Sequence, residues 1–273
     1  MLLSWLLTDD LQEFPCVQEE DLVKALDALT ERNQGGLVLF HAELDKHAHA
    51  HDDKPPLSHT NPDEYATFLE SRPAQMELDA LDLILKMCRA YPSIRFHIVH
   101  LSAAEAVPRI KSARESGVAN LTVETCYHYL TLSSEDIPDN ATQYKCCPPI
   151  RSEANRKQIC QALLDGVIDY VVSDHSPCIP ELKKGDFMTA WGGVSGLGLG
   201  LSLLWTEFSE KVTPATIMGW VSSIQAKQVG LESKKGSLAV GMDADFMIFD
   251  PEATYTVDTV SRRFLTRVVA SVY

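Results

Sequence analysis

The sequence predicts an α/β fold built on a parallel sheet, either open or closed into a barrel. Three observations carry this expectation. Four short, nearly continuous apolar runs at 37–42, 95–101, 121–126 and 168–173 suit strands buried on both faces. Amphipathic helical windows alternate with them, which is the pattern of βαβ units. Polar side chains able to bind a metal stand at the ends of three runs, as His41, His100 and Asp174.

The elements follow in chain order. Leu22, Ala25, Leu26 and Leu29 recur at helical spacing ahead of the first run, LVLFHA. After the second run, RFHIVHL, Ser102 and Glu105 form a capping-box pattern for a helix, and Pro108 falls inside its window. The third run is LTVETC. Ser152 is placed to cap a helix carrying Ile159, Ala162 and Leu163, with Gly166 to end it before the fourth run. Thr213 and Pro214 suit the N-cap and first turn of a helix running towards Gly230. Near residue 236 the texture changes. Gly236-Ser237-Leu238 reads as a turn into a short strand, and Phe246-Met247-Ile248-Phe249 reads as a second one after a polar turn. The expected division is therefore 1–235 for the α/β domain and 236–273 for a small β appendage with an altered tail. No internal repeat or low-complexity tract interrupts the chain.

Bulk composition limits the function classes. The chain has 273 residues, 45% hydrophobic and 23% charged, as in an ordinary soluble globular protein. Lys+Arg is 24 against Asp+Glu 38, a net charge of −14, which argues against nucleic acid or an anionic membrane as partner. Seven cysteines without a CxxC pair read as reduced thiols in the cytoplasm, not as a disulfide framework or a thiolate zinc site. The apolar stretch Met1 to Leu7 is too short to span a bilayer and lacks the basic flank of a signal peptide.

Ligands bind at the carboxyl ends of the strands in barrels and open parallel sheets. A histidine taken singly is more often a hydrogen-bonded core residue, and an aspartate a cap. Three such residues on three strand ends favour a metal site, and two imidazoles with a carboxylate suit zinc or a similar divalent ion. His47, His49, His51 and His59 lie in a histidine-rich stretch that reads as a surface loop, not as a ligand tract. Cys146 and Cys147 are adjacent, so their side chains point apart in an extended segment. Cys126 before His128 makes a nucleophilic pair conceivable, but no third group orients it.

Seven segments in series resemble the cyclic amidohydrolases. They are HAEL at 41–44, SRP at 71–73, HIVHLSAAEAV at 97–107, ETCYHYL at 124–130, KCCPPIR at 145–151, SDHSPC at 173–178 and AWGGVSG at 190–196. GMDADFMIFDP at 241–251 is similar to the return strands of that family's small β domain. Among dihydroorotases, hydantoinases and allantoinases, the allantoinases are the most similar. The resemblance implies a (β/α)8 TIM barrel, here its C-terminal half, with a remnant of the small β domain. It also implies a binuclear metal centre, usually zinc. His41 and His100 correspond to ligands of the second metal. Asp174 corresponds to a ligand of the first metal and to the general base, accepting a proton from the attacking water and passing it to the departing nitrogen. The segment from Cys147 to Pro149 corresponds to one that meets the substrate ring through its backbone. The implied reaction is hydrolysis of a cyclic amide, allantoin to allantoate, in purine breakdown, and the implied assembly is a homo-oligomer.

The chain also departs from the family pattern. The HxH pair of the first barrel strand has no counterpart, and no lysine precedes Lys24 to serve as the carboxylated bridge between the metals. The expectation is a chain that starts near the fourth strand and whose likeness fades after Asp250. Alone, it should be marginally folded and turn allantoin over negligibly. A dihydroorotase or hydantoinase activity, or a non-catalytic relative serving protein assembly, are the alternatives.

Overall fold

Each of the four apolar runs forms a strand. β2 (Leu37–His41), β3 (Arg95–Val99), β4 (Leu121–Cys126) and β5 (Tyr170–Val172) lie side by side, all parallel. In this computed structural model the described residues are 2–4, 17–32, 36–45 and 57–254. A further strand, β1 (Leu2–Ser4), pairs in parallel with β2 and was not foreseen in the apolar N-terminal stretch. Spatial order equals chain order, β1-β2-β3-β4-β5. A doubly wound sheet reverses order at a switch point. Sequential order with crossovers of one hand instead sends every helix to the same face, which is how a barrel wall is built. The partial TIM barrel implied by the motifs is therefore the architecture found.

The helices are α1 (Glu19–Glu31) after β1, then α2 (Tyr65–Ser71) and α3 (Ala74–Ala90) after β2. α4 (Val107–Glu115) follows β3, and α5 (Tyr127–Thr131) and α6 (Glu153–Leu164) follow β4. α7 (Gly200–Phe208), α8 (Pro214–Met218) and α9 (Ile224–Gln228) come last, with a π-helical stretch (Gly219–Ser223) joining the final two. Alternate strand residues Val38, Phe40, Phe96, Ile98, Val123 and Val171 share one core with Leu26, Leu81, Ile110, Leu163 and Phe208. Burial of each such side chain stabilises the fold by roughly 1.5–3 kcal/mol.

The opposite face of the sheet differs from the two-sided apolar burial expected. There His97 Nδ1 lies 2.8 Å from Thr122 Oγ1, and Tyr170 OH lies 3.0 Å from His97 Nε2. Buried polar groups on this face are tolerated because they bond to one another.

Two of the three expected caps hold. Ser152 Oγ accepts from Asn155 N, and Thr213 Oγ1 from Thr216 N. Ser102 does not cap. Its hydroxyl donates to Pro149 O at 2.6 Å and its N–H to Glu77 Oε2 at 2.9 Å. A 3₁₀ turn at Ala104–Ala106 leads into α4 instead, and Pro108 sits in the first turn, where its missing N–H leaves no bond unmade.

The two expected strands after residue 236 are not strands. Neither run has a ladder partner among the described residues, and an isolated strand leaves its backbone groups unpaired. Ile248 is 99% exposed, while Phe249 lies against the Trp205 ring of α7. Among the described residues no helix is long and apolar enough to cross a membrane.

Candidate functional site

The register between β2 and β3 sets His41 opposite Val99, one residue before His100. His100 then takes a left-handed backbone (φ 43°), and its ring meets that of His41 edge to face, with centroids 4.4 Å apart. Asp174, two residues past β5, is also left-handed (φ 42°). These are two of the three non-glycine residues in that region among the described residues. Such a conformation costs about 1–3 kcal/mol, and its recurrence at two strand ends marks a place where side-chain direction outweighs backbone comfort. The next residues are pinned, since Ser176 N donates to Val194 O and His175 bridges Val194.

Electrostatics at this rim favour neutral imidazoles. His100 is buried, and burial, aided by His41, holds its pKa down at about 4 against the pull of Asp174 and Glu43. Its Nδ1 has no hydrogen-bond partner among the described residues, a deficit of roughly 1–3 kcal/mol unless something binds there. His128, in the first turn of α5, is similar. Burial lowers it to about 4, Asp174 opposes, and its Nε2 also lacks a partner among the described residues.

Behind the two histidines runs a buried chain of charges. His41 Nε2 lies 2.8 Å from Glu43 Oε2, and Arg72 grips the same carboxylate through Nη2 (2.6 Å) and Nε (3.2 Å). Burial alone would raise the Glu43 carboxyl, but the Arg72 guanidinium and His41 hold it well below the usual carboxylate range. Arg151 Nη1 donates to Arg72 O, and the Arg151 guanidinium clasps Glu77 at 2.7 and 3.2 Å. Glu77 Oε2 in turn accepts the N–H groups of Ser102 and Ala103, just past His100. Breaking such a pair strands a buried charge, at a cost of about 3–5 kcal/mol. Sequence reasoning assigned none of these four a role, although Glu43, Arg72 and Arg151 lie inside the HAEL, SRP and KCCPPIR motifs.

Cys147 lies close enough to Arg72 and Glu43 for both to act on its thiol, which burial pushes up. The carbonyls of Pro148 and Pro149 each already accept a bond, from Tyr129 OH and Ser102 Oγ. The AWGG stretch packs beside this segment, where a Cβ on Gly193 would stand 2.7 Å from Ser176 Oγ, so only glycine fits. The Cys126–His128 pair has no nucleophilic character, because burial, with Asp174 and Glu124 nearby, drives the Cys126 thiol well above its ordinary range. His47, His49 and His51 lie outside the described residues, and His59 is exposed.

The donor types at this rim fit a divalent cation: two imidazoles in contact, one with an unpartnered buried nitrogen, and a carboxylate whose charge reaches His100. The three do not close into a compact set, and among the described residues no cluster of three or more His, Cys, Asp or Glu could hold a metal ion. Strand spacing explains this. Neighbouring strands lie ~4.8 Å apart, so the ends of β2 and β3 adjoin while β5 stands two spacings beyond β3, roughly 10 Å.

Comparison with known proteins agrees with the fold and the motif order. The Amidohydrolase family profile matches residues 17–271, continuing past Asp250, where the motif likeness stops. The allantoinase of Saccharomyces cerevisiae is 45% identical over 272 residues, covering 98% of this chain and 57% of the yeast protein. The mitochondrial allantoinase of Aquarana catesbeiana is 46% identical over 231 residues, 83% of this chain and 46% of its own length. A D-hydantoinase structure superposes with a TM-score of 0.82 at 26% identity, covering 95% of this chain and 56% of that one. The chain thus spans about half the length of the relatives it matches. With a family profile over nearly its whole length and a parallel sheet whose strand ends carry the matching motifs, this chain belongs to the amidohydrolase family.

Proposed function

We propose that this chain supplies part of the site for metal-dependent hydrolysis of a cyclic amide, with allantoin as substrate and allantoate as product. The observation that carries the reading is the His41–His100 contact at two adjacent strand ends, with His100 neutral and its buried Nδ1 unpartnered among the described residues. His41 and His100 are the residues that would hold one divalent cation and Asp174 a second beside it, zinc suiting these donor types as manganese or cobalt also would. A divalent cation bound there would polarise the ring carbonyl and favour attack by water at neutral pH. Asp174 accepts the proton of the attacking water at its carboxylate and delivers it to the departing ring nitrogen. Cys147, beside Arg72 and Glu43, faces the ring through its backbone. Allantoin as substrate draws its support from the allantoinases of yeast and frog, both above 40% identity. Homo-oligomeric assembly and a cytoplasmic setting complete the reading.

The test is twofold. Co²⁺ binding to the 273-residue chain should be lost in His41→Asn and in His100→Asn. The Co²⁺-loaded chain should turn allantoin over negligibly, yet bind it in preference to dihydroorotate or a substituted hydantoin. Cation binding indifferent to both histidines would sink the site, and a preference for either other ring would sink the substrate.

A further inference from the structure

His41 has two ring nitrogens, and only one can face a cation. Its Nε2 lies 2.8 Å from Glu43 Oε2, and Glu43 is fully buried. The same carboxylate receives the forked Arg72 guanidinium, so both its oxygens are engaged by donors. A carboxylate in that grip only accepts. We propose that Glu43 is the positioning residue of the site, fixing His41 as the Nε2–H tautomer so that Nδ1 is bare and turned to the ligand.

Arg72 acts behind it, keeping the carboxylate in place and ionised. The Arg72 carbonyl is held by Arg151, and Arg151 by Glu77, whose second oxygen anchors the backbone just after His100. One run of hydrogen bonds therefore sets the ring of His41 and the strand end carrying His100. A histidine that binds a cation commonly donates its other N–H to a carboxylate, and loss of that partner typically weakens metal affinity 10–100-fold. The positions of Glu43 and Arg72, separated by 29 residues, are reconcilable with a plain buried ion pair, so the test must read the ring itself.

The inference rests on the reading of His41 as a ligand, and the experiment separates the two. Long-range ¹H–¹⁵N correlation on the full chain at pH 8, with His41 assigned by its Asn variant, reports which nitrogen carries the proton. The expected result is protonated Nε2 and bare Nδ1. A bare Nε2 in the parent chain overturns the proposal without any variant. Glu43→Leu alone would bury an unpaired Arg72, so the variant of choice is Glu43→Leu with Arg72→Met, which removes the pair as a unit and preserves volume. It should release His41 to a mixture of tautomers and weaken Co²⁺ binding by about 10–100-fold. An unchanged tautomer or unchanged Co²⁺ affinity in that variant overturns the positioning role. Absence of Co²⁺ binding by the parent chain removes the proposed function, while the tautomer still decides the role of Glu43.

Discussion

A buried imidazole makes folding sensitive to pH, and His128 is the clearest case. Its ordinary pKa is near 6.5, and burial lowers it to about 4 in the folded chain. Between those values the unfolded chain binds the extra proton. The neutral ring's contribution is therefore whole above about pH 6.5 and drains away as pH falls towards 4. The loss is on the order of 3 kcal/mol for one such group, and His100 adds a second of similar kind. Urea midpoints measured from pH 7 down to pH 4.5 should fall steeply, and His128→Gln should remove about half of the slope. A slope untouched by that substitution would contradict the burial argument. Candidate site residues could be picked from the sequence only where position along a strand announced them. His41, His100 and Asp174 stood at the ends of apolar runs. Glu43 and Glu77 did not, because their partners Arg72 and Arg151 lie 29 and 74 residues away and no local pattern encodes that distance.

Elements were legible where their cause is local. Ser152 and Thr213 cap as their short-range patterns indicate, because donor and acceptor sit three residues apart. Ser102 carries the same pattern and fails, since Glu77 and Pro149, 25 and 47 residues distant, compete for its N–H and hydroxyl. β1 escaped notice because three residues are too few to show a period. The run 246–249 has strand-like composition and remains unpaired, since composition cannot supply a neighbour. Ser152→Ala should cost about 1 kcal/mol in unfolding free energy, read from urea denaturation. At the head of α7, a Cβ on Gly200 would stand 2.2 Å from ring carbons of Tyr127. Gly200→Ala should therefore destabilise by roughly 1–3 kcal/mol through overpacking, where an exposed helical glycine would gain from the change. A neutral or stabilising result would mean that the α5–α7 contact is looser than drawn.

At the scale of the whole molecule, the sequence legibly indicated a parallel α/β architecture, and the motif order indicated a barrel. Sequential strand order and helices on one face bear this out. What no periodicity could reveal is the polar lining of the other face, where His97, Thr122 and Tyr170 bond across three strands. The chain's charges fall into two populations. Glu43–Arg72 and Glu77–Arg151 are sealed from solvent, whereas the Lys235 ammonium holds Asp243 and Asp245 at the surface. Dissolved ions reach the second population and not the first. In concentrated sodium chloride the segment after residue 235 should loosen, changing the fluorescence of Trp205, which rests on Phe249. The edge-to-face pair at the strand ends should ride through the same brine undisturbed. A rim braced in this way keeps its shape across ionic strengths that strip the protein's exterior of its ion pairs.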